Sequence, residues 1–128
     1  MDNSVLAHRI IDFGGYEMSY RKLSDQALAV AAAVGKVDVR PDDRVLVMLP
    51  DGPYFVDAFA GVMHQVALPL PANPLLSAHD IVTVAADAGA RVVLVSADRI
   101  PALADLEAEP PVLIDGPHGC WAAVLRLR

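Results

Sequence analysis

Two uninterrupted apolar runs, Val45-Leu46-Val47-Met48-Leu49 and Val92-Val93-Leu94-Val95, constrain this chain more than any other feature. A strand with water on one face alternates apolar and polar residues, whereas a strand without alternation is covered on both faces. The segments between the runs supply the cover. Ser19 suits a helix N-cap, and after it Tyr20, Leu23, Ala27, Val30 and Val34 recur at steps of three and four. That is one apolar stripe on a helix expected to stop at Gly35. Asp51-Gly52-Pro53 opens a second helix, with Pro53 at the first position and the stripe Phe55, Phe59, Val62 and Val66. Ser77, with Asp80 three positions on, caps a third helix that turns Ile81, Val84 and Ala85 inward and ends at Gly89. Arg40-Pro41-Asp42-Asp43 reads as a turn. Val66–Leu70 reads as a short strand closed by Pro71-Ala72-Asn73-Pro74.

The ends extend this pattern. Val5–Asp12 reads as a strand, Phe13-Gly14-Gly15-Tyr16 as a hairpin turn and Tyr16–Met18 as the returning arm. A short helix, Ile100–Leu106, and a strand, Pro111–Ile114, follow the second apolar run. The tail from Gly116 stays open, and one short helix, Trp121–Leu127, fits it. Alternation of this kind predicts an α/β fold: a mostly parallel sheet flanked by helices, with an N-terminal β-hairpin. Residues 1–128 are expected to form one domain, partial rather than whole. No repeat at a solenoid period is present.

Composition excludes several classes. The net charge is −6, and the ten basic residues are scattered without a block to neutralise phosphates, so no nucleic-acid partner is expected. The apolar stretch Val66–Leu76 is cut by Pro69, Pro71 and Pro74, so no membrane span is expected. Met1-Asp2-Asn3 lacks a basic n-region, and no secretory signal is expected. Cys120 is the one cysteine, which suits a reducing cytoplasm.

Chemistry-bearing motifs are missing. Neither G-x-G-x-x-G nor G-x-x-x-x-G-K-[ST] occurs, and in Gly116-Pro117-His118-Gly119 the proline removes an amide that a phosphate cradle would use. His8, His64, His79 and His118 lie far apart, without metal-ligand spacing. Cys120 has no activating neighbour in sequence and is expected to be a small, half-buried residue. The serines lack a nucleophile elbow. Asp42-Asp43 belongs to the turn, and Asp105, Glu107 and Glu109 read as a solvated face. Trp121 reads as an anchor packing the tail down. No residue is assigned a catalytic, cofactor-binding or metal-binding role.

Five segments, in order, resemble the opening of the adenylate-forming (AMP-binding) enzymes. Ser19-Tyr20-Arg21-Lys22-Leu23 is similar to their T-Y-x-E-L, and Val39–Val45 to G-V-x-P-G-D-R-V. Leu49–Phe55 is similar to L-P-N-S-x-E-F. Gly61–Pro74 resembles G-A-x-x-A-G-A-x-x-x-P-x-N-P, and Ala86–Val95 resembles the D-S-G-A-K-V-V-L-V segment. The resemblance runs from Val5 to Asp98, leaving 99–128 as a tail, and leans toward acyl-CoA or aryl-CoA ligases, fatty-acid–CoA ligases among them. It implies a family that activates a carboxylate with ATP and magnesium to an acyl-adenylate and then transfers it to coenzyme A. It also implies what is not here. The Ser/Thr/Gly-rich phosphate loop with its lysine, the acidic ATP-contacting motif and the C-terminal domain have no counterpart, and Thr83 is the only threonine. The chain is therefore expected to be a truncated N-terminal segment, inactive alone and holding no cofactor. Its partners would be the missing remainder of the enzyme or a second copy. Two other readings stay open: an interaction module pairing through an exposed sheet edge, and an unrelated small doubly wound domain. Asp42 and Val66 stand where the family has glycines; if those positions need positive φ, the β-branched valine is the worse substitute.

Overall fold

The computed structural model describes residues 10–12, 17–116 and 119–128, with side chains from residue 25 onward. The expected hairpin turn at residues 13–16, most of the first strand, and the side chains of Tyr20 and Leu23 lie outside the described residues. In chain order the elements are β1 (Ile10–Asp12), β2 (Glu17–Ser19), α1 (Tyr20–Lys36), β3 (Arg44–Met48), α2 (Pro53–His64), β4 (Leu68–Pro71), α3 (Ala78–Ala88) and β5 (Val92–Ser96). A 3-10 helix (Ala97–Leu103), β6 (Val112–Gly116) and β7 (Gly119–Arg126) complete the chain.

Among the described residues, β1 and β2 pair antiparallel as a separate two-stranded sheet. The main sheet has five strands in the order β4-β3-β5-β7-β6. β3 is parallel to both β4 and β5, while β7 is antiparallel to β5 and to β6. Four strands thus run one way and β7 alone runs back.

The uninterrupted apolar runs behave as double burial requires. Val45 and Val47 of β3, with Val92 and Leu94 of β5, face α1 and α2 and pack on Val30, Val34, Ala58 and Val62. The intervening Leu46, Met48, Val93 and Val95 face the other way, onto Ile81, Ala85 and Leu103 of α3 and the 3-10 helix. Full burial of each such side chain contributes about 1.5–3 kcal/mol. The α1–α2 crossing is close enough to demand glycine. A Cβ on Gly61 would stand 2.5 Å from Val30 Cβ and 2.6 Å from the Ala27 carbonyl oxygen. Ser77 caps α3 as expected, accepting from the Asp80 N–H at 3.2 Å, and Gly89 ends it in the left-handed conformation.

Five expectations need correction. Gly35 does not stop α1; the helix continues to Lys36, and Asp38 takes the left-handed turn at φ 62°. Aspartate tolerates that region, and the buried Val37 and Val39 draw the chain back over the core. Val66 does not continue the α2 stripe. The helix ends at His64, Val66 is 63% exposed, and the strand begins at Leu68. Ile100–Leu106 is instead the 3-10 helix Ala97–Leu103, with Pro101 inside it, where a missing N–H disfavours an α ladder. Cys120 is exposed rather than half-buried. Trp121–Leu127 is not a helix: β7 fills the slot between β5 and β6, with Ala122, Ala123, Val124 and Leu125 all buried. Ladder partners on both sides override the local helix propensity of the alanines.

Val66 and Asp42 both have positive φ, 59° and 69°. The Asp42 N–H donates to the Val66 carbonyl at 2.9 Å, and the Leu68 N–H to the Asp43 carbonyl at 2.8 Å. The two positive-φ residues therefore face each other across the chain reversals that start β3 and β4.

Candidate functional site

In an open α/β sheet, ligands gather beyond the carboxyl ends of neighbouring strands whose connections leave to opposite faces. Here those strands are β3 and β5. The chain leaves β3 into α2 on one face and leaves β5 into the 3-10 helix on the other. A crevice lies at this point, bounded by the segment 49–54, Ser96 and Trp121, with a volume of about 110 Å³.

Three local features shape it. Gly52 caps α2 at φ 145°, a backbone region that side chains rarely enter, and Pro53 follows at the first helical position. The α2 N-terminus carries no side-chain cap and no acid in its first turn. Trp121 rises from β7 and stacks on Tyr54, with ring centroids 4.5 Å apart and planes at 14°. The indole packs against the α1–α2 core cluster, as an anchor would.

The crevice is smaller than the roughly 300–1,000 Å³ of pockets that enclose a drug-sized ligand. Its side-chain polar groups are those of Asp51, Tyr54, Ser96 and Trp121. None is a cation that could balance a phosphate. Asp57, one turn further along α2, is fully buried and already engaged in an interaction.

The other residues weighed in the sequence disperse. His64 and His79 are exposed, and among the described residues no three His, Cys, Asp or Glu groups come together as a metal site. The Cys120 thiol donates to the Ala122 carbonyl at 3.3 Å. Asp105, Glu107 and Glu109 are exposed, as a solvated face is. Pro71 ends β4 and Ala72-Asn73 follow it; none of the three lines the crevice, and Asn73 Oδ1 accepts from the Leu75 N–H at 2.9 Å. Sequence reading missed one grouping. Arg40, Arg44, Arg91 and Arg126 meet around a cavity at the opposite end of the sheet. No linear signal marks it, because the four residues come from different connections and strands. Among the described residues, no helix is long and apolar enough to cross a membrane.

Comparison with known proteins gives a concordant picture. The family described as AMP-binding enzyme matches residues 3–120. A 4-coumarate–CoA ligase from Nicotiana tabacum is 29% identical over 116 residues, covering 88% of this chain but 20% of the relative. Among solved structures, an anthranilate CoA ligase in complex with anthranoyl-AMP superposes with a TM-score of 0.66 at 26% identity, over 79% of this chain and 20% of that one. The N-terminal domain of FACL13 from Mycobacterium tuberculosis superposes with a TM-score of 0.61 at 24% identity, over 75% and 25% of the two chains, a likeness of fold. The chain thus spans about a fifth of the length of these curated relatives.

Proposed function

The chain belongs to the AMP-binding enzyme family, and on that premise we propose that it is the N-terminal scaffold of an ATP-dependent carboxylate–CoA ligase and is not catalytic by itself. The single observation that carries this reading is the mismatch between fold and chemistry. The sheet and its flanking helices match the N-terminal subdomain of adenylate-forming enzymes. Yet its switch-point crevice of about 110 Å³ is too small for a nucleotide and has no cationic lining. The whole enzyme would form an acyl-adenylate from ATP and a carboxylate, with magnesium, and pass the acyl group to coenzyme A. Chain beyond this segment would supply the phosphate-binding and carboxylate-binding groups. The names of the relatives favour an aromatic carboxylate, since they act on 4-coumarate and anthranilate. The single cysteine favours the cytoplasm as the place of action.

A graft tests the scaffold role. This chain would replace the matching N-terminal fifth of the Nicotiana tabacum 4-coumarate–CoA ligase. The expected result is a folded chimera that still forms the CoA thioester of 4-coumarate in an ATP-dependent way, with its specificity unchanged. A chimera that folds cooperatively but has lost ligation entirely would contradict the proposal.

A further inference from the structure

We propose that the arginine-lined cavity at the amino-terminal end of β3 and β5 is a binding site for a phosphoryl dianion, in the form of a small phosphomonoester. The cavity has a volume of about 330 Å³ and is lined by Arg40, Arg44, Arg91 and Arg126 with Asp38 and Asp43. The chain carries a net charge of −6, yet here four guanidinium groups meet two carboxylates. The surplus of two positive charges matches a dianion.

The arrangement is held in place by the fold. Arg44 Nη1 donates to the Ala88 carbonyl at 2.7 Å, at the end of α3. Arg126 Nη1 donates to the Val37 carbonyl at 2.9 Å, just past the end of α1. Each helix end is the negative pole of its dipole, so the contacts also suit the charge of the arginines. A guanidinium has five N–H donors, and these bonds use one on each side chain. The remaining donors form planar forks of the kind that grip phosphate oxygens in pairs.

The two carboxylates leave the charge surplus in place. Asp38 Oδ2 lies 3.9 Å from Arg40 Nη2, and both side chains are about three-quarters exposed, so this pair is weak. Asp43 Oδ2 is occupied by the Arg40 N–H at 2.8 Å. Arg91 is exposed and has no side-chain partner among the described residues. The cavity lies at the opposite end of the sheet from the switch-point crevice, so the proposal does not depend on the ligase reading.

Isothermal titration of the 128-residue chain, at fixed ionic strength in chloride, tests the site with inorganic phosphate, glycerol 3-phosphate and succinate. The expected result is saturable one-to-one binding of both phosphates, tighter than succinate. Arg91→Gln should weaken it at least tenfold, and Arg91→Lys should weaken it less. Arg91 makes no fixed side-chain bond, so the melting temperature without ligand should not move; Arg40→Gln serves as an independent second variant. Three results would overturn the proposal: phosphate heats no larger than chloride heats, phosphate binding unchanged in both glutamine variants, or succinate binding tighter than phosphate. The last would assign the cavity to carboxylates.

Discussion

Replacing Val66 by glycine is expected to stabilise the chain. The valine holds φ at 59° while 63% exposed, so its side chain brings strain and little burial. A left-handed L-residue costs about 1–2 kcal/mol, and glycine returns about 0.5–1 kcal/mol of that through its greater unfolded-state entropy. The net gain should be about 0.5–1 kcal/mol by urea denaturation. Val66→Ala, which keeps the Cβ, should show no comparable gain. Equal stabilities for the valine and glycine forms would mean that residue 66 is not strained. Sequence pointed to this site through the resemblance, whose pattern has glycine where Asp42 and Val66 stand, and both residues do have positive φ. It could not show that the Asp42 N–H donates to the Val66 carbonyl at 2.9 Å, since that contact joins two turns distant in the chain. The same limit hid the arginine cavity. Arg40 and Arg44 lie close in the chain, but Arg91 and Arg126 join them only after β3, β5 and β7 pair.

At the scale of elements, the three helices were legible from their apolar periodicity, and β3 and β5 from apolar runs that have none. A run such as Val45–Leu49 leaves no polar position, and only cover on both faces explains it. β7 was not legible. Ala122-Ala123-Val124-Leu125 suits a helical turn as well as a strand, and its two neighbours in the sheet decide between them. Hydrogen exchange separates these states. The amides of Ala122–Leu125 should be among the slowest in the chain, since β7 pairs on both sides and is buried on both faces. Exchange as fast as at an exposed end would remove β7 from the sheet. The edges of the sheet also have a reason. Leu68 and Ala72 of the β4 segment point their N–H groups at β3, so Pro69 and Pro71 occupy the outward positions and offer no donors to a passing strand. The prolines that interrupt this apolar stretch in the sequence thus protect one edge of the sheet.

For the whole molecule, fold and chemistry separate. The α/β architecture was readable from local pattern, and the family from five short segments; the family model matches residues 3–120. The candidate site was less legible, because its walls come from four places: the loop after β3, the first turn of α2, the end of β5 and Trp121 of β7. The stacked Tyr54 and Trp121 line the crevice of about 110 Å³ and tie the C-terminal strand to α2. A crevice of that size at the switch point is too small for a nucleotide, as the scaffold proposal requires. Exchange of labelled pyrophosphate into ATP, driven by added carboxylate, tests that claim most directly on the purified 128-residue chain. With 4-coumarate, anthranilate, benzoate or a fatty acid, the account predicts exchange no greater than the protein-free blank. Carboxylate-dependent exchange that follows the chain through purification would show that it adenylates unaided, and would contradict the account.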